Sequence, residues 1–138
     1  MTATYLDSCM VIGLIEGDAE QRNTLKGYLA TSETVFSSEL VRLEARILAL
    51  RQNQSNYLQL YDAFFSACEF VDLGRDVFDL AASLRVASAL KTPDALHLAA
   101  AITAGCDEFC TNDKQLLKVA TQRIKVIDWE MLLTTSNP

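Results

Sequence analysis

Short apolar, β-prone runs alternate with longer stretches of helical period along almost the whole chain. Residues 3–6, 34–37, 69–73, 108–111 and 125–127 read as strands. Between them the apolar positions recur every three or four residues. Residues 8–16 carry Met10, Val11, Leu14 and Ile15 on one face, and residues 19–30 carry Leu25 and Leu29. Residues 38–51 carry Leu40, Leu43, Ile47 and Leu50, with Glu44 inside that stripe. Residues 56–68 and 75–90 are two further amphipathic helices, the second with Val77, Leu80, Ala81, Leu84 and Ala87 on one side. An Ala-rich helix then opens at Thr92-Pro93-Asp94. Thr92 suits the cap, Pro93 the first helical position and Asp94 the first turn, and Gly105 stops it. Residues 113–120 form a short helix and 129–133 a last turn.

Strand and helix alternating without linker, repeat or low-complexity segment predict a three-layer α/β/α sandwich around a mainly parallel sheet of about five strands. Residues 1–133 read as one domain and 134–138 as a frayed tail. In open sheets of this kind ligands bind beyond the carboxyl ends of the strands. Asp7 and Asp113 both follow directly on strands, and Asp94 opens a helix that can run from the same edge.

Composition narrows the class. A chain of 138 residues, half of them hydrophobic and only two proline, folds with a real core. No apolar run reaches the roughly 18 residues a membrane span needs, and no basic-then-apolar leader opens the sequence, so a soluble cytoplasmic protein is expected. The four cysteines, Cys9, Cys68, Cys106 and Cys110, form no Cys-x-x-Cys pair, and His97 is the only histidine. That excludes a locally spaced zinc site and leaves the cysteines as small buried hydrophobes. The absence of Gly-x-Gly-x-x-Gly and of Gly-x-x-x-x-Gly-Lys-[Ser/Thr] excludes dinucleotide and nucleotide-loop folds. The net charge of −6 argues against a broadly basic nucleic-acid face. Without Asp7, Glu44, Asp94 and Asp113, however, fourteen acids face twelve bases.

Each of those four acids alone has an ordinary explanation as a cap or as dipole complement, Glu44 excepted. An ionised carboxylate on an apolar helix face costs several kcal/mol unless paired or coordinated. Together they are harder to explain away. Two carboxylates about 5 Å apart repel by roughly 3 kcal/mol at an effective dielectric of about 20. A cluster of them needs protons or a cation. Hard oxygen ligands without histidine or cysteine point to Mg²⁺ or Mn²⁺, and such ions suit phosphodiester hydrolysis.

The stretches Tyr5-Leu6-Asp7-Ser8, Ser38-Glu39-Leu40-Val41-Arg42-Leu43-Glu44, Thr92-Pro93-Asp94-Ala95-Leu96-His97-Leu98-Ala99 and Thr111-Asn112-Asp113 resemble, in order and spacing, the four motifs of PIN domains. The nearest likeness is to VapC-type toxins of bacterial type II toxin–antitoxin systems. The resemblance implies a PIN-like sandwich with Mg²⁺- or Mn²⁺-dependent endoribonuclease activity. Asp7, Glu44, Asp94 and Asp113 would form its acidic quartet, ligating metal or orienting the attacking water. Thr111 and Ser8 would support the site. It implies a homodimer, and a VapB-type antitoxin whose C-terminal segment lies across the active site.

Arg42, Arg46, Lys91, Lys114 and Lys118 lie near the motifs and are candidates for RNA phosphates, against the ordinary reading of solvated surface charge. His97 shares a helix face with Asp94; its ordinary reading is a surface or interface histidine. Two other functions stay open. A receiver-like phospho-acceptor domain is also small, acidic and Mg²⁺-binding, but it carries adjacent acids after its first strand and has no role for Glu44. A PIN-fold binding protein without catalysis is the other.

Overall fold

The computed structural model describes residues 2–136. In chain order it comprises β1 (Ala3–Leu6), α1 (Ser8–Glu16), α2 (Ala19–Ala30), β2 (Thr34–Ser37), α3 (Glu39–Arg51), α4 (Ser55–Ser66), β3 (Glu69–Phe70), α5 (Arg75–Ala87), α6 (Thr92–Thr103), β4 (Glu108–Cys110), α7 (Lys114–Ala120), β5 (Lys125–Ile127) and α8 (Trp129–Ser136). The five strands form one sheet in the order β3-β2-β1-β4-β5, every pair parallel and flanked by helices. This is the α/β/α sandwich expected. A receiver-type sheet has the order 2-1-3-4-5, so the topology removes that alternative.

The chain runs outward from β1 to β3 on one side, then returns to place β4 and β5 on the other. The reversal between β1 and β4 is the switch point of the sheet, where a crevice opens beyond the strand ends. Register decides which residues meet there. Leu6 pairs with Cys110 and Cys110 with Ile127. Pairing continues one step past the strands: the Asp7 N–H donates to the Cys110 carbonyl and the Thr111 N–H to the Ile127 carbonyl, both at 3.0 Å.

β1 is the centre of the core. Tyr5, Val11, Phe109 and Leu98 are fully enclosed, and the Tyr5 and Phe109 rings stack with centroids 5.7 Å apart. α6 buries every residue from Ala95 to Ala101. Its four alanines let it pass close to its neighbours, and a helix apolar all round has no solvent face to offer. Gly105 ends the segment with φ +73°, the left-handed turn that glycine adopts without cost.

Five local expectations are corrected. α3 buries Val41, Ala45 and Ala49, whereas Leu43 and Leu50 are half exposed, because α3 packs closely on α1 and α4 and only small side chains fit there. Thr92 does not cap α6: Lys91 stands at the cap without a side-chain bond, and the Thr92 hydroxyl accepts from Arg85 Nη1 at 2.9 Å. β3 stops at Phe70 and α5 at Ala87, where Ser88 turns extended. α8 continues to Ser136, past the boundary expected at Leu133, while residues 137 and 138 lie outside the described residues.

Two glycines should respond oppositely to alanine. At Gly17 an added Cβ would stand 2.3 Å from the Gly13 carbonyl oxygen, and it is expected to cost about 1–3 kcal/mol. At Gly27, inside α2, nothing lies within 4 Å, and Gly27→Ala should add about 0.5–1 kcal/mol. Urea denaturation of both variants checks the pair.

Candidate active site

Asp7 enters the site as a by-product of strand register. It sits one residue past β1, 5 % exposed, and caps α1 by accepting from the Met10 N–H at 3.3 Å. The register sets Thr111 beside it, and the Thr111 hydroxyl donates to Asp7 Oδ2. The Cys9 thiol donates to Oδ1 at 2.9 Å. Burial nonetheless raises the Asp7 pKa above the ordinary aspartate value; the bonds from Cys9, Thr111 and Met10 oppose the rise without cancelling it.

Asp113 caps α7, with Oδ1 accepting from the Leu116 N–H at 2.9 Å, and its own N–H donates to Thr111 Oγ1 at 3.2 Å. Thr111 therefore links the two acids. Asp94, third residue of α6, is half-buried and hydrogen-bonded to nothing among the described residues. Its pKa is raised first by burial, then by the charge of Asp113, with Asp7 and Glu44 adding to it against a lowering by His97. These acids lie within electrostatic reach of one another. No three His, Cys, Asp or Glu side chains among the described residues already stand as a metal cage.

Glu44 is held differently. Its Oε1 accepts from His97 Nε2 and from the Ser8 hydroxyl, each at 2.6 Å. Burial works against its charge, but those two bonds and the field of His97 outweigh it and hold the carboxyl below the ordinary glutamate range. Ser8 thus supports Glu44 rather than Asp7, its neighbour in sequence.

His97 is not a surface histidine. It is 2 % exposed, and Nδ1 lies 3.0 Å from the Tyr5 hydroxyl, which lies 2.9 Å from Ser38 Oγ. The carboxylate at Nε2 can only accept, which assigns a proton to Nε2, while Nδ1 shares its hydrogen bond with the Tyr5 hydroxyl. Ser38, Tyr5, His97 and Glu44 then form one hydrogen-bonded chain that ends with His97 Nε2 donating to the carboxylate. Ser38 Oγ also caps α3 by accepting from the Val41 N–H at 3.3 Å. Two signals in the sequence pointed here: Tyr5 shares a strand face with Asp7, and His97 is the one polar residue in the run 95–101.

Cys9 likewise departs from the small-hydrophobe reading, since its thiol binds Asp7. Cys9 is exposed as a residue, but desolvation around its thiol, then the charge of Asp7, pushes its pKa well up, so it stays protonated and donates. Cys106 and Cys110 are core residues as expected. Arg42 is occupied by Glu39 at 3.8 Å. Lys114 opens α7 exposed, directly after Asp113, and Lys91 stands at the cap of α6. Arg46 is half-buried, with Nε unpartnered.

Acids gathered at the switch point of a parallel 3-2-1-4-5 sheet define the class of the PIN fold. The chain belongs to the PIN domain family, whose model matches residues 4–122. No curated protein matches it. Among solved structures, VapBC-1 from nontypeable Haemophilus influenzae aligns with a TM-score of 0.74 at 12 % identity, covering 93 % of this chain and 98 % of that one. A toxin–antitoxin complex from Klebsiella pneumoniae aligns with a TM-score of 0.71 at 22 % identity, covering 90 % and 95 %. VapC20 of Mycobacterium tuberculosis, described as a sarcin–ricin loop cleaving toxin, aligns with a TM-score of 0.67 at 19 % identity, covering 83 % and 93 %.

Raised folded-state values at Asp7 and Asp94 mean that the folded protein binds more protons than the unfolded chain between about pH 4 and the raised values. Stability there falls as pH rises. In EDTA, Tm is expected to increase as pH falls from 7 towards about 4, and Asp7→Asn to raise Tm at pH 7 and shrink that increase. His97→Ala leaves Tyr5 and Glu44 without their shared partner and should cost about 1–3 kcal/mol in urea denaturation.

Proposed function

We propose that this protein is a VapC-type toxin, a divalent-metal-dependent endoribonuclease restrained by a cognate antitoxin. One observation carries the reading: buried Asp7, joined to Asp113 through Thr111, shares one sheet edge with half-buried Asp94, where burial and then the charge of Asp113 work against an Asp94 carboxylate. Such an arrangement is unfavourable without a cation and becomes favourable with one. The donors are all carboxylate oxygens, which fits Mg²⁺ or Mn²⁺. Asp7, Asp94 and Asp113 would hold the ion; as Mg²⁺ keeps several waters, it needs few protein ligands and no preformed cage. When bound, it supplies polarisation of a phosphate oxygen and a lowered pKa of bound water.

The residues of the chain do the rest. Glu44, kept ionised by His97 and Ser8, is the acceptor for the proton of an attacking water. Tyr5 and Ser38 fix the His97 ring and so the direction in which Glu44 presents its second oxygen. Thr111 holds Asp7 and Asp113 in one relative orientation. The sarcin–ricin loop cleavage ascribed to VapC20, and the antitoxin complexes among the neighbours, support RNA as substrate and an antitoxin as partner. No helix among the described residues is long and apolar enough to cross a membrane.

Antitoxin-free protein should cut a panel of structured RNAs in Mg²⁺ or Mn²⁺ and not in EDTA, and Asp7→Asn or Asp94→Asn should reduce cutting to background while remaining folded. Mn²⁺ titration calorimetry of the same proteins separates a narrow target from a dead site. Heat of binding without cutting points to an untested RNA, whereas neither heat nor cutting assigns a PIN fold without catalysis.

A further inference from the structure

The cations of this acidic chain are segregated. Residues 80–93 and 114–127 hold six of its twelve Lys and Arg and none of its eighteen Asp and Glu. The fold sets these two segments against each other: Gln115 Nε2 donates to the Ala89 carbonyl at 3.2 Å. Between them lies a groove of about 340 Å³, walled by the end of α5, the turn into α6, α7 and the turn that follows it. Lys118 and Arg123 line it, with Gln115, Gln122 and Ser88 as neutral hydrogen-bonding groups and no acid.

Two of the six cations are already occupied. Lys125 pairs with Glu108 at 3.1 Å, and Arg85 donates to the Leu90 carbonyl and the Thr92 hydroxyl, fixing the turn. Lys118 and Arg123 are exposed and pair with nothing among the described residues. Lys118 lies near the end of α7, where a cation complements the helix dipole. That does not account for Arg123, which lies beyond the helix, or for the exclusion of acids from both walls.

The groove also leads away from the acidic site. Asp113 caps the helix that carries Lys118, and the turn forming the opposite wall runs into α6, which starts two residues before Asp94. Lys114 follows Asp113, and Lys118 comes one turn later, about 6 Å further along the axis. A strand whose phosphate lies at the acids would thus be led onto cations on one side.

We propose that this groove seats the single-stranded RNA flanking the scissile bond, with backbone phosphates on Lys118 and Arg123. The inference rests on the nuclease reading above. Its volume suits a nucleotide rather than a folded partner, and its charge selects a phosphodiester strand in a molecule otherwise repelling one.

The test uses a fluorescein-labelled single-stranded RNA in EDTA, with anisotropy read from 50 to 200 mM KCl. Wild type is compared with the Lys118→Gln/Arg123→Gln pair and with a charge-matched control, Arg51→Gln/Arg75→Gln, at the end of α3 and the start of α5. Two lost phosphate contacts should make the salt slope of log affinity shallower by about 1.4, so that quadrupling the salt costs the groove pair about sevenfold less affinity than wild type. The control should keep the wild-type slope. In Mn²⁺ the groove pair should cleave with raised KM and unchanged kcat. Equal losses in both pairs, or displacement of the RNA by polyglutamate as readily as by unlabelled RNA, would overturn the proposal. If wild type binds and cuts RNA and the groove pair keeps its slope, the groove fails alone. If wild type neither binds nor cuts any RNA, the nuclease reading fails and the groove with it.

Discussion

The negative charge of Asp7 is the constraint around which this structure is arranged. A carboxylate one residue past the central strand of a parallel sheet lands in the switch-point crevice whether or not it is welcome there. Register makes Thr111 its neighbour, and the start of α1 supplies the Met10 N–H. Those contacts make the position tolerable without making it comfortable, and burial still lifts the pKa. Asp94 and Asp113 are then brought to the same edge by the two elements that flank β4, so one acid's cost is compounded by the next. A cation bound there, as proposed, would relieve the cost that the fold concentrates.

Glu44 is the contrast that gives the site two kinds of carboxylate. Its pKa lies low because a buried imidazole and a serine hydroxyl donate to it. The hydrogen-bonded chain from Ser38 through Tyr5 and His97 runs through the most enclosed part of the core, where an unsatisfied polar atom would be costly. The same residues that hold Glu44 therefore hold β1 to α6 and α3. Divergent environments for neighbouring acids are the usual way a fold assigns different roles to one residue type.

The strands, their order of appearance and seven of the eight helices were legible from periodicity alone, and α8 was visible as its first turn. What stayed hidden depended on which surface each element turns inward. In α3 the large residues Leu43, Ile47 and Leu50 read as the core stripe, but the close approach of α1 and α4 selects Val41, Ala45 and Ala49 instead. A single sequence lists both stripes and cannot weigh them, because the choice lies in the distance between helices. The partner of Glu44 was hidden for a related reason: His97 is 53 residues away, on another helix. The acids themselves were readable because sheet edges and helix starts are local features that sequence marks directly.

Cap and catalyst were rival readings of Asp7 and Asp113 in the sequence, and the geometry shows why they need not compete. A capping aspartate uses one oxygen for the backbone N–H two or three residues on. In Asp113 that oxygen is Oδ1, bonded to Leu116, and Oδ2 is left over. In Asp7 the cap also falls on Oδ1, while Oδ2 faces Thr111. Capping thus fixes the rotamer and aims the second oxygen, at the end of a helix whose dipole already favours an anion. The bond that explains these residues as structural would also preorganise them for the proposed ligand. These two acids need no strained backbone to point them, since helix formation does that for each of them separately.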